Sequence, residues 1–167
     1  MSGRLLRWFG LLILLLVVLA TGWLAGSARI GSRVPRASLS ELERGFADRL
    51  SGAALVGRFT IAGREDRSAS PERYELSSVE KVGENEWRFN ARIRYANLDV
   101  TLPVVVTMLW AGDTPMISIT DFALPPLGTF TARVVFYGDR YVGTWQHGTV
   151  GGHMFGRIEK AGIKTNN

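Results

Sequence analysis

Two histidines, His147 and His153, are the residues whose type and spacing suggest chemistry, and the chain has no others. They lie in Asp139 to Lys160, DRYVGTWQHGTVGGHMFGRIEK, where Tyr141–His147 and His153–Ile158 alternate bulky and small side chains around a glycine-rich middle. Such alternation, interrupted by glycines, reads as a β-hairpin. With its turn centred on Val150, the hairpin pairs His147 with His153, Trp145 with Phe155 and Gly143 with Arg157. Both imidazoles then share one face about 5 Å apart. That separation suits two ligands of one metal ion, but a zinc site needs further donors, and only Asp113 or Asp121 on other loops could supply one. A hydrogen-bonded pair at the rim of the sheet is the simpler reading. No serine, cysteine or carboxylate motif accompanies the pair, so acid–base chemistry lacks partner residues and a metal-dependent enzyme is the least favoured function. Gly148, Gly151 and Gly152 join two strands, whereas phosphate-cradling loops lead from a strand into a helix.

The hairpin before it is better defined. Gly138-Asp139 forms a two-residue loop that pairs Phe136 with Tyr141, Val134 with Gly143, Ala132 with Trp145 and Phe130 with His147. Phe130, Ala132, Val134, Phe136, Tyr141, Trp145 and Phe155 then fall on one face with both histidines, and that face is the core side. A slip of one residue would turn a whole strand over.

From Ala53 onward the sequence predicts eight strands: Leu55–Ala62, Arg73–Lys81, Glu86–Tyr95, Val100–Trp110, Met116–Phe122, Thr129–Tyr137, Arg140–His147 and His153–Lys160. Turn signals separate them, from Gly63–Pro71 to Gly138-Asp139. The third strand sets Trp87, Phe89, Ala91, Ile93 and Tyr95 against a row of Arg88, Asn90, Arg92 and Arg94, a core face backed by a solvated one. The fourth is apolar on both faces, so its outer face needs a cover. Ser40-Glu41-Leu42-Glu43 has capping-box spacing and starts a helix with a stripe of Leu39, Leu42, Phe46 and Leu50 and Gly52 as its stop; such a helix ordinarily covers an open end or edge of the sheet, and it is also the available cover for the fourth strand. Eight consecutive antiparallel strands with one apolar face predict an up-and-down barrel or strongly bent sheet, with a two-layer sandwich as the alternative.

Ahead of this domain, Trp8 to Ala28 carries no charge, which is long enough to span a bilayer. The expected organisation is a transmembrane anchor over 1–28, a linker over 29–37 and a β domain over 38–167. A cleaved export signal ending near Gly26-Ser27-Ala28 is the alternative. With the segment retained the protein is expected to be single-pass in the membrane; on either reading the domain is expected on the extracytoplasmic side. The formal charge of +5 comes from Arg4, Arg7, Arg29, Arg33 and Arg36, because the remaining 15 basic residues balance 15 acidic ones. A nucleic-acid partner is therefore not expected. With no cysteine, the chain has neither disulfides nor thiolate metal ligands.

Gly143-Thr144-Trp145 with Arg157 on the last strand resembles the Gly-x-Trp plus carboxy-terminal arginine closure of calycins, the lipocalin- and avidin-type barrels. The likeness covers the last three strands, and calycins carry the motif on the first strand whereas this chain has it on the seventh. The end of the chain also resembles uncharacterised exported bacterial β-domain proteins with a similar Trp, Gly-Gly-His and Gly-Arg-Ile pattern. The resemblance implies a non-enzymatic barrel without a cofactor that binds a small apolar or lipid-like ligand. On this reading Trp87, Phe89, Trp110, Phe130, Phe136 and Trp145 line the interior, and Arg157 lies against the Trp145 indole. A structural module that binds other envelope proteins is the competing expectation.

Overall fold

The strands form a ring. The computed structural model describes residue 26 and residues 31–64, 68–95, 98–124 and 128–160. The expected membrane segment at 1–28 lies outside the described residues except for Gly26. No helix among the described residues is long and apolar enough to cross a membrane, which says nothing of strands. Residues 33–167 make up one unit, and the whole ring belongs to it.

A 3-10 turn at Arg36–Ser38 and the helix α1 (Glu41–Leu50) lead into eight strands: β1 (Ala53–Phe59), β2 (Ser70–Lys81), β3 (Glu86–Tyr95), β4 (Leu98–Ala111), β5 (Thr114–Leu124), β6 (Gly128–Tyr137), β7 (Arg140–His147) and β8 (Val150–Lys160). Each strand pairs antiparallel with the next, and β8 returns to β1 from Ala53↔Lys160 to Phe59↔Met154, which closes the barrel. Closure removes both sheet edges, so the sandwich alternative falls. β3 and β7 have the expected bounds; β1 starts two residues early and stops at Phe59, short of the expected Ala62, and the others run one to three residues beyond theirs at one end or both.

The capping box is present as read: Ser40 Oγ accepts from the Glu43 amide, and Glu43 accepts from the Ser40 amide. Gly52, at φ 70°, leaves the helix in the left-handed conformation that glycine adopts without a Cβ penalty. Of the two expected positions for α1, the open end is the one it takes. It covers no outer face; Phe46, Ala47 and Leu50 are buried at one end of the barrel, while Leu42 of the expected stripe points to solvent. The Phe46 ring meets Trp87, Phe89, Trp110 and Phe136 edge-on at centroid separations of 5.5, 6.4, 5.7 and 5.5 Å. Edge-to-face geometry sets each positive ring edge against a negative face, which adds to the burial itself. A salt bridge from Lys81 to Glu43 fixes the helix to the end of β2. The outer face of β4, with Thr101, Pro103, Thr107 and Leu109, is exposed and has no cover.

The β6–β7 register is the expected one, from Phe136↔Tyr141 to Phe130↔His147. The β7–β8 register is not. The turn falls at Gly148-Thr149, pairing His147 with Val150, Trp145 with Gly152 and Gly143 with Met154. An odd shift turns β8 over. Met154, Gly156 and Ile158 therefore face inward, and His153, Phe155 and Arg157 stand on the outer wall, where Phe155 is exposed.

Candidate functional site

The inner wall divides into a filled half and an open half. At the α1 end, Trp87, Phe136, Tyr141, Leu50 and Met108 are almost wholly enclosed. At the other end the inward-facing Phe59, Phe130, Trp145 and Met154 are only half-buried. Between them β4 and β5 separate. Their ladder holds only from Met108↔Ile117 to Ala111↔Thr114, at the α1 end. β5 bends away at a bulge between Ile119 and Phe122, where Asp121 has φ 50° and its amide donates to Thr131 Oγ1. Val100, Leu102 and Val104 on β4 and Ile119, Phe122 and Leu124 on β5 are left half-buried on either side of this gap. Pro103, which cannot donate to a ladder, lies where β4 has no β5 partner.

A polar group sits inside the ring. Glu72, on β2, is 4 % exposed; Tyr141 Oη donates to its Oε1 at 2.8 Å and Tyr74 Oη to its Oε2 at 2.9 Å. Tyr141 and Glu72 share a line across the sheet through Gly156 and Gly57. The tyrosine ring lies over these two glycines, and a Cβ on either would collide with it and with the neighbouring strand's backbone. Burial pushes the Glu72 carboxyl above its usual pKa, and the two hydroxyl donors only partly oppose this. Burial also raises the Tyr141 pKa, followed by the nearby Glu72 charge and the hydrogen bond to it. The arrangement is a buried carboxyl held by two tyrosine hydroxyl donors.

The expected lining residues separate into three groups. Trp87, Phe89, Trp110 and Phe136 form the sealed end against Phe46 and are packing. Phe130 and Trp145 reach the open end, with Phe130 stacked on His147 at 4.6 Å and Trp145 edge-on to Phe59 at 5.8 Å. Arg157 is on the outer wall, so its expected stacking on the inward-facing Trp145 is corrected by the register. The same register places His147 on the inner side and His153 on the outer, where the Thr60 hydroxyl accepts from the His153 amide at 3.1 Å. The two imidazoles are thus not brought to one point, and among the described residues no group of three His, Asp or Glu residues could hold a metal ion. The Trp145 indole N–H is buried and has no acceptor among the described residues. Leaving such a donor unfilled costs about 1–3 kcal/mol.

Glu72 and the β4–β5 gap went unread in the sequence. Glu72 follows the Gly63–Pro71 turn signal and precedes the expected strand start at Arg73. The alternation Glu72, Tyr74, Leu76, read in phase, would have placed it inward.

These features define a closed eight-stranded antiparallel barrel with one helix-plugged end and one partly open side. Comparison of the chain with protein-family models, curated proteins and solved structures gives no match.

Proposed function

We propose that the protein is a membrane-tethered, non-enzymatic, calycin-like barrel that takes a small apolar or lipid-like ligand through its open end and the β4–β5 gap. The observation that carries this reading is the half-buried state of Val100, Leu102, Val104, Ile119, Phe122 and Leu124 on both sides of the gap. Interior-facing aliphatic side chains of a water-soluble barrel are normally enclosed, so their partial exposure leaves apolar surface for a ligand to cover. The unfilled Trp145 N–H adds a polar handle and favours a ligand with a hydrogen-bond acceptor, such as a carboxyl, ester or hydroxyl oxygen.

The full chain, purified in a nanodisc, is titrated with a fluorescent fatty-acid probe and also examined by native mass spectrometry. Saturable binding at one probe per chain, weakened at least about tenfold by Leu102→Glu, supports the reading. Absence of both saturable binding and a co-purifying small molecule rejects it. Tethering is tested separately by carbonate extraction of membranes, which leaves an anchored chain in the pellet.

A further inference from the structure

We propose that the outer wall of β6, β7 and β8 docks onto an anionic phospholipid surface, at the end of the barrel from which the chain leads to its apolar segment. A groove of about 560 Å³ runs along this wall between Val135, Tyr137, Arg140, Val142, Phe155 and Arg157. Tyr137, Val142 and Phe155 are 75, 56 and 45 % exposed, which is unusual for three large side chains packed side by side on a soluble wall.

Two arginines stand beside them. Arg140 and Arg157 are directly opposite each other across β7 and β8, a like-charge pair that gains nothing from its neighbour. Arg157 has no ion-pair partner among the described residues, and Arg140 reaches only Asp139 at 3.7 Å with both side chains in solvent. Glu159, two residues past Arg157, is the other acid on this face. The wall across the barrel differs. There Arg88 pairs with Glu80, Arg92 with Asp99, and Arg73 and Arg94 with Glu75, so its arginines are already engaged.

Aromatic rings beside solvent-facing arginines match the headgroup layer of a bilayer, where rings enter the interface and guanidinium groups meet phosphates. The groove also lies at the right end. The β6–β7 turn accepts from Arg49 of α1 through the Gly138 carbonyl, and Val34 donates to the carbonyl of Lys81 at the same end. Only residues 29–32 separate the uncharged run from Arg33, a reach of about 14 Å when extended. This inference rests on the tethering reading, and its test keeps the two apart.

The chain has no cysteine, so Val142→Cys and, on the opposite wall, Thr101→Cys each carry a single spin label. The full chain is reconstituted in vesicles of phosphatidylcholine alone or with about one-third phosphatidylglycerol, near the anionic content of a charged leaflet. The expected result is loss of label mobility and of access to a water-soluble relaxant at position 142, only in the anionic vesicles, with position 101 unchanged. Arg140→Gln with Arg157→Gln should lower the docked-to-free ratio about 25-fold, taking each arginine as about fivefold. An unchanged label at 142 in anionic vesicles, or docking that survives the double substitution, overturns the proposal. So does label-to-label coupling at 142, which would show that a second copy covers the wall. A chain that fails to enter even the phosphatidylcholine vesicles refutes the tether, and with it the basis of the docking reading. Thermal melting of each variant confirms that these exposed substitutions leave the barrel folded.

Discussion

The two ends of the barrel are built from the same strands with the same alternation, yet one is full and the other is not. At the α1 end, Trp87, Phe89 and Phe136 close around Phe46 and are at most 6 % exposed. At the other end, Phe59, Phe130 and Trp145 face inward on the same pleat and remain half-buried. The difference arises from two features outside the inward pattern. A side chain from α1 fills the first end, and the short β4–β5 ladder leaves the second unzipped. Alternation specifies which residues point inward; what fills the space they surround is decided elsewhere in the chain.

The comparison breaks if Phe46 proves no more important than its counterpart at the open end. Phe46→Ala removes the plug and four edge-on contacts and should cost about 3–5 kcal/mol, whereas Phe59→Ala should cost clearly less. Urea unfolding of both variants tests this, and equal losses would mean that the ends are equivalent. Tyr141→Phe, at the boundary between the halves, takes one donor from buried Glu72 and should cost about 1.5–3 kcal/mol by the same measurement.

A pH series sharpens the boundary further. Because burial raises the Glu72 pKa, the folded chain binds its proton more tightly than the unfolded chain. Its stabilisation is therefore greatest at low pH and declines as pH rises from about 4.3 towards the folded value. Four other carboxyls have the opposite sign. Hydrogen bonds from Arg73, Arg36 and Arg92 hold Glu75, Asp48 and Asp99 low, and at Glu43 the Lys81 and Ser40 bonds outweigh burial. Their contribution is present above the unfolded pKa and lost as pH falls through the folded one. Subtracting wild type from Glu72→Gln cancels them, and the variant should gain stability relative to wild type as pH rises through that window. A flat difference would show that the Glu72 pKa is the same folded and unfolded. The smallest effect is expected at Trp145→Phe, which removes an unfilled donor from the open end. Unfolding should move by less than about 1 kcal/mol, while affinity for an acceptor-bearing fatty-acid probe falls and that for a hydrocarbon analogue does not.

Much of the barrel was legible because its signals are local. Gly138-Asp139 admits one tight turn, so Phe130 through His147 paired as read, and the Ser40–Glu43 box marked the start of α1. Gly148-Thr149-Val150-Gly151-Gly152 admits several turns. Choosing the wrong one carried Phe155, Arg157 and His153 to the wrong face and joined two histidines that the sheet separates. The plug was legible only as one of two choices: a helical stripe shows that α1 packs against something, and whether that is an outer face or an open end depends on contacts distant in sequence. Glu72 needed a strand boundary correct to within a residue or two, and turn signals do not provide that precision. The gap between β4 and β5 leaves no mark on either strand's composition.

Closure by β1 and β8 has a consequence for how the protein is made. Ala53–Phe59 and Met154–Lys160 belong to the first and last strands of the domain, so the growing chain carries free sheet edges until the final strand has been synthesised. Loop closure over that separation is slow, and incomplete sheets with open edges are prone to aggregate. A premature stop that removed β8 would therefore discard the single strand that converts an open-edged sheet into a closed ring. Quality control of this protein should be most sensitive to damage in that final strand.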